Sequence, residues 1–152
     1  MQVDDLDRRL LRLTQSDPTA SVPALAKDAR MSVAVARRKL DRLEAAGVLK
    51  GRQAVIDWAA LGYAVEVSLR ITIDKAQPQG FDQFLAAARE IPEVIEIQTF
   101  LGRVDLRLSV LARDMAHYQE LYRDRILTLP HIADIEALMH VASVKSDEGL
   151  PI

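Results

Sequence analysis

The stretch Ser32-Val33-Ala34-Val35-Ala36-Arg37-Arg38-Lys39-Leu40 sets three cations in a row behind a serine and four small apolar residues. On a helix this is chemistry for a polyanion. Small side chains at Val33 and Ala34 permit close approach to base edges and could touch thymine methyl groups. Arg37 and Arg38 have the reach for a guanine edge or a phosphate. Lys39 and Arg42 fall on the flanks, where phosphate contact is expected. Each phosphate neutralised releases counterion, so such binding would weaken steeply with salt. The sequence leaves open which arginine reads a base and which only positions the protein. A solvated basic helix face is the plain alternative.

Other reactive residue types are sparse. His117, His131 and His140 are scattered over a helix, a loop and a strand, and their spacing offers no metal pair. Glu136 with His140 reads as a strand face rather than a ligand set. There are no cysteines, which excludes disulfides, thiolate metal sites and thiol nucleophiles. Neither a nucleophile elbow nor a Gly-rich phosphate loop is present. No cofactor is expected.

The basic stretch must be held by helices. Asp4 or Asp5 caps a first helix with Leu6, Leu10 and Leu13 on one face, and Pro18 breaks it. Ser21 caps a short second helix, Val22 to Ala29, with Pro23 in its first turn. Arg30-Met31 makes the connection. Ser32 caps a third helix to about Ala46, closed by Gly47 as a left-handed cap. Ala36, Leu40 and Leu43 face the core, which turns Val33, Ala34, Arg37, Arg38 and Asp41 outward. Two short helices joined by about three residues form a helix-turn-helix. A tight turn of this kind often uses glycine, and Arg30 stands there. Residues 47–62 are expected to hold a strand and then a linker, Asp57 to Gly62, with Trp58 as a packing anchor.

After residue 63 the period changes. Val65, Val67, Leu69, Ile71 and Ile73 alternate as one strand face. Phe81, Leu85 and Ala88 mark a helix that ends before Pro92. Val94 to Leu101 and Val104 to Ala112 read as strands about the turn at Gly102-Arg103. Asp114 caps a second helix, and Ile132 to Val144 reads as the last strand. The order βαββαβ is a ferredoxin-like split sheet with both helices on one face. The other face carries Glu66, Ser68, Arg70 and Thr72, and a second copy of the chain would cover it. The fold class is α+β: a winged helix-turn-helix over residues 1–57 with a linker strand to about 62, then a βαββαβ module over 63–152.

Bulk composition fits this division. The chain has 152 residues, 49% apolar and 28% charged, with net charge −2. Residues 1–57 carry 11 Lys/Arg against 8 Asp/Glu, whereas 58–152 carry 9 against 14. A polyanion partner is thus expected for the first half only. The start, MQVDDLDRRLL, resembles no secretory signal, and no apolar run reaches the roughly 20 residues that span a bilayer. A cytoplasmic protein without a membrane partner is expected.

Four pieces in order carry a family resemblance: Leu6-Asp7-Arg8-Arg9-Leu10-Leu11, Met31-Ser32 through Arg38, Arg42-Leu43-Glu44-Ala45-Ala46-Gly47-Val48-Leu49, and Leu101-Gly102-Arg103-Val104-Asp105. Over nearly the whole chain it resembles the Lrp/AsnC, or feast/famine, transcription regulators. That resemblance implies double-stranded DNA as partner, a homodimer built on the β-module that often assembles into tetramers or octamers, and an amino acid effector. It places the effector between dimers at Leu101, Gly102, Arg103, Val104 and Asp105, with Gly102 offering its amide to a carboxylate and Asp105 meeting an α-ammonium. This chain departs from the family pattern. Leu101 stands where a small hydroxyl residue is usual, Leu106 where an aromatic is common, and Ala137 where the last strand supplies a hydroxyl. A more apolar effector, a pocket rearranged around Arg103, and no effector at all remain open. Siroheme decarboxylases share the two-module shape but carry a histidine- and arginine-rich stretch near the second strand, which VIEIQTFLGR lacks. An assembly module without DNA binding is opposed by Arg37-Arg38-Lys39.

Overall fold

The computed structural model describes residues 2–145 and 149–152. The chain forms two units, Met1–Val55 with Lys145–Ile152, and Ile56–Val144. The last residues thus group with the first unit, not with the β-module as expected. One link is a two-way hydrogen bond: the Leu150 N–H donates to Gln15 Oε1 at 2.7 Å, and Gln15 Nε2 donates to the Leu150 carbonyl at 3.3 Å.

In the first unit, helix α1 spans Asp5–Ser16, α2 Val22–Ala29 and α3 Val33–Ala45. Each start has a side-chain cap. Asp4 opens α1 with a reciprocal capping box: its carboxylate accepts the Asp7 N–H at 2.7 Å, and the Asp7 carboxylate accepts the Asp4 N–H at 3.0 Å. Ser21 and Ser32 accept the N–H groups of Ala24 and Val35. Leu10, Leu25, Ala26, Ala29, Ala36 and Leu40 form one buried cluster. Ala26 and Ala29 carry almost no side chain, which lets α2 lie close to its neighbours. Between α2 and α3 the chain reverses through Arg30 at φ 58°, ψ 48°. A β-carbon in this left-handed region costs about 1–2 kcal/mol. Gly47, at φ 69°, ends α3 in the same conformation without that cost.

The expected strand after α3 does not form. Residues 50–57 form no regular element, join no ladder and are exposed. A strand needs a neighbour for its N–H and C=O groups, and every ladder in the described residues belongs to the second unit. Val55 is left 89% exposed, and Trp58, expected as a packing anchor, is 41% exposed.

The second unit has strands β1 Val65–Ile73, β2 Val94–Thr99, β3 Leu106–Ala112 and β4 Ile132–Met139. Helix α4 spans Gly80–Arg89, and α5 spans Met115–Leu121 before winding more widely through Tyr122–Ile126. The sheet is antiparallel with order β2-β3-β1-β4, the ferredoxin-like arrangement expected. Val67, Leu69, Ile71 and Ile73 of β1 and Leu106, Leu108, Val110 and Ala112 of β3 pack with Phe84, Ala88, Tyr118, Leu121 and Ile126 in one core. Both helices therefore cover the same face. β4 stops at Met139, opposite Val67, rather than at Val144: past it one backbone bond remains, the His140 N–H to the Glu66 carbonyl at 2.9 Å, and β1 itself begins at Val65. Val141 and Val144 accordingly stay exposed.

The face away from the helices is polar and cross-linked. Arg107 Nη2 lies 2.9 Å from Glu96 Oε2, and Arg70 Nη1 lies 3.7 Å from Glu136 Oε2. His140 Nδ1 is 3.5 Å from Glu66 Oε2. Arg107 Nε is buried without a hydrogen-bond acceptor among the described residues.

Candidate functional site

Helix α3 presents its outer side as the sequence implies. Val33, Ala34, Arg37, Arg38 and Asp41 are exposed, and Ala36, Leu40 and Leu43 are buried beneath them. The Ser32 hydroxyl accepts the Val35 N–H at 3.3 Å, which leaves its own O–H able to donate outward. Neither Arg37 nor Arg38 is drawn into an ion pair among the described residues. A surface of small residues beside two exposed guanidinium groups results.

Lys39 and Arg42 behave differently from the flanking phosphate contacts expected of them. Lys39 Nζ sits 2.6 Å from Asp4 Oδ2 and 3.0 Å from Asp7 Oδ1, with its side chain only 13% exposed. Arg42 Nη2 pairs with the other oxygen of Asp7, although the rest of its side chain is half-exposed. Asp7 itself has no solvent exposure. Burial raises its pKa, but the Asp4 N–H and the Lys39 and Arg42 cations outweigh that and hold it down at about 2. Asp4 is lowered as well, chiefly by its hydrogen bond from Lys39, and Lys39 is raised chiefly by the same bond. The α1 capping box thus doubles as a clamp on α3. From the sequence, Asp4 or Asp5 is expected as the cap and Asp7 has no part in it; the Asp-x-x-Asp spacing is the signal that marks the box. Its partners, 32 to 35 residues away, carry no such signal.

The turn between β2 and β3 is closed by the Phe100 N–H donating to the Asp105 carbonyl at 2.9 Å. Leu101 projects fully into solvent, and Arg103 is exposed. A β-carbon added at Gly102 would meet nothing within 4 Å, and its φ lies outside the left-handed region. This chain's own fold therefore places no demand for glycine there. Asp105 is not the open carboxylate expected for an α-ammonium. Its Oδ2 accepts the Ile73 N–H at 2.9 Å, and Oδ1 lies 3.4 Å from Lys75 Nζ. Val104 is half-buried beside it. Thr72, expected only as part of the polar sheet face, donates its hydroxyl to the Arg103 carbonyl at 3.0 Å and steadies the turn. Ala137 is not brought to this turn within one chain. It pairs opposite Leu69 on β4, at the edge of the sheet away from β2.

Among the described residues no group of three or more His, Asp or Glu side chains could hold a metal ion. No described helix is long and apolar enough to cross a membrane.

Comparison with known proteins places both units. Residues 66–150 match the family described as Lrp/AsnC ligand binding domain, and residues 3–50 match a winged helix-turn-helix DNA-binding family. The chain is 29% identical over 150 residues to the DNA-binding transcriptional activator DecR of Escherichia coli strain K12, covering 99% of each. It is 29% identical to the leucine-responsive regulatory protein of Salmonella typhimurium, covering 99% of this chain and 92% of that one. An AsnC family transcriptional regulator from Agrobacterium tumefaciens superposes with TM-score 0.86 at 30% identity, over 97% of this chain and 96% of that one. A Neisseria meningitidis regulator solved with L-Met shares the fold, at TM-score 0.90 and 23% identity over 99% and 97% of the two chains.

Proposed function

Because the chain belongs to the Lrp/AsnC family of transcription regulators, we propose that it binds duplex DNA through α3, pairs with a second copy through its open sheet face, and answers a small amino-acid-class effector at the β2–β3 turn. The carrying observation is the outer side of α3: Arg37 and Arg38 stand exposed and unpaired beside Val33 and Ala34, on a helix capped by Ser32. A helix of this shape fits the major groove with its N-terminal half toward the bases. Ser32, Val33, Ala34, Arg37 and Arg38 form the contact set.

The sheet face supports the dimer. It carries paired charges and one buried, unsatisfied guanidinium nitrogen, Arg107 Nε, which an acceptor on a second copy would satisfy. Tetramers or octamers would be built from that dimer. Gly102 supports the effector site, since nothing inside the chain requires a glycine and an incoming carboxylate would. The name of the leucine-responsive relative supports an amino acid class. With Asp105 engaged by Lys75, recognition of the ligand falls to Gly102, Arg103 and the apolar Leu101.

The test begins with selection of bound fragments from genomic DNA. On a selected site, Arg37→Ala and Arg38→Ala should each weaken binding at least tenfold, and a lost phosphate contact should lower the salt slope by about 0.9 per subunit. Unchanged affinity and slope in both variants would remove α3 from the interface. For the effector, a thermal-shift screen of the twenty amino acids at about 100-fold over the dissociation constant should show about 2.7 kcal/mol of stabilisation for a true ligand. A flat screen would overturn the amino-acid reading.

A further inference from the structure

The clamp between α1 and α3 has a consequence for DNA selectivity. Lys39 and Arg42 are the third and fourth cations of α3, and on a bare helix both would add to its attraction for any phosphate backbone. Instead Asp4 and Asp7 hold them. Lys39 contacts both carboxylates at 2.6 and 3.0 Å, and Arg42 pairs with Asp7. Asp4 keeps a side chain that is 53% exposed, so negative charge also faces solvent beside these cations.

We infer that Asp4 and Asp7 are specificity-determining residues which withhold Lys39 and Arg42 from DNA, trimming sequence-independent affinity so that Arg37, Arg38, Val33 and Ala34 dominate discrimination. The inference rests on the DNA-binding reading above. Phosphate contacts strengthen binding to every sequence alike, whereas base-edge contacts do not. Removing two cations from the phosphate count lowers the non-specific background and leaves the reading residues untouched. The arrangement costs little in fold, because the same two carboxylates already form the α1 capping box.

Asp4→Asn is the informative variant. Asparagine caps helices as well as aspartate does, so α1 should keep its start while Lys39 loses its nearest charged partner. Binding would be followed by fluorescence anisotropy on a selected site and on a random duplex, across a salt series, with melting temperature as a check of folding. The expected result is tighter binding to the random duplex, a reduced selected-to-random ratio, and a salt slope steeper by up to about 0.9 per subunit, since Asp7 still contacts Lys39. Asp5→Asn, one residue along and not a partner of Lys39, should leave the slope alone. Lys39→Met in the Asp4→Asn background should restore the original slope. The inference is overturned if Asp4→Asn folds but leaves slope and ratio unchanged, if Asp5→Asn has the same effect, or if the steeper slope survives loss of Lys39. Should Asp4→Asn unfold, Lys39→Met alone decides: no change in the wild-type slope is expected, and a shallower slope overturns the inference. Failure of the underlying reading is distinguishable, because Arg37→Ala and Arg38→Ala would then leave binding unchanged whatever Asp4→Asn does.

Discussion

At the scale of single residues, Asp7 has the most at stake. It is buried, ionised and held by two cations and a backbone N–H. Its folded pKa of about 2 lies below the ordinary 3.8. A depressed carboxyl contributes stability above the unfolded value and loses it as pH falls through the folded one. Wild-type protein should therefore lose about 2 kcal/mol between pH 4 and pH 2 from this group. Asp7→Asn should be less stable by about that amount at pH 7 and should lack this component of the acid transition. Urea titrations of both proteins at pH 7, 4 and 2.5 check it, and parallel acid losses would count against the clamp. The outward placement of Arg37 and Arg38 was legible from helical spacing alone, because Ala36, Leu40 and Leu43 fix which side is buried. The fate of Lys39 was not, since flank positions face whatever the tertiary neighbour supplies.

At the scale of elements, Arg30 is a residue in a conformation that suits glycine. Arg30→Gly removes the β-carbon strain but adds backbone freedom to the unfolded chain. The net gain expected is about 0.5–1 kcal/mol, read as a melting rise of about 1–4 °C. A fall would mean that the Arg30 side chain contributes contacts that outweigh its backbone. In the β-module, Phe84 is completely buried between α4 and the sheet. Phe84→Ala should cost about 3–5 kcal/mol by chemical denaturation, since it leaves a cavity in the main core. Helices α2 and α3 begin where their serine caps stand, and β1 spans the alternating run that marks it. Strand ends were less legible: the second strand stops at Thr99, the third begins at Leu106 and the fourth ends at Met139. Alternation of side chains continues past each point, but regular pairing gives way to single backbone bonds, Phe100 to Asp105, Asp105 to Ile71 and His140 to Glu66.

At the scale of the whole molecule, the open sheet face is the feature that asks for a second copy. Ser68 lies on β1 within that face, half-buried between Arg70 and Glu66 in its strand. Ser68→Arg adds a bulky cation there and should convert a dimer to monomers without loss of the sheet. Sedimentation velocity with far-ultraviolet circular dichroism separates the two effects. A dimer of unchanged mass would move the interface elsewhere. Residues 50–57 belong to the same question, because a segment outside every ladder, with exposed Val55 and Ile56, has its backbone groups left for water or another chain.

What local sequence determined by itself was the set of periods and caps: three capped helices, then alternating strands about two helices, and hence the two-module architecture. These depend on neighbours within four residues, which any single sequence displays. What only the tertiary structure decided was which polar groups are already spent. Lys39 and Arg42 are held by Asp4 and Asp7, and Asp105 is held by Ile73 and Lys75. Such pairings join residues about thirty positions apart, and an unpaired charge reads the same in a sequence as a paired one.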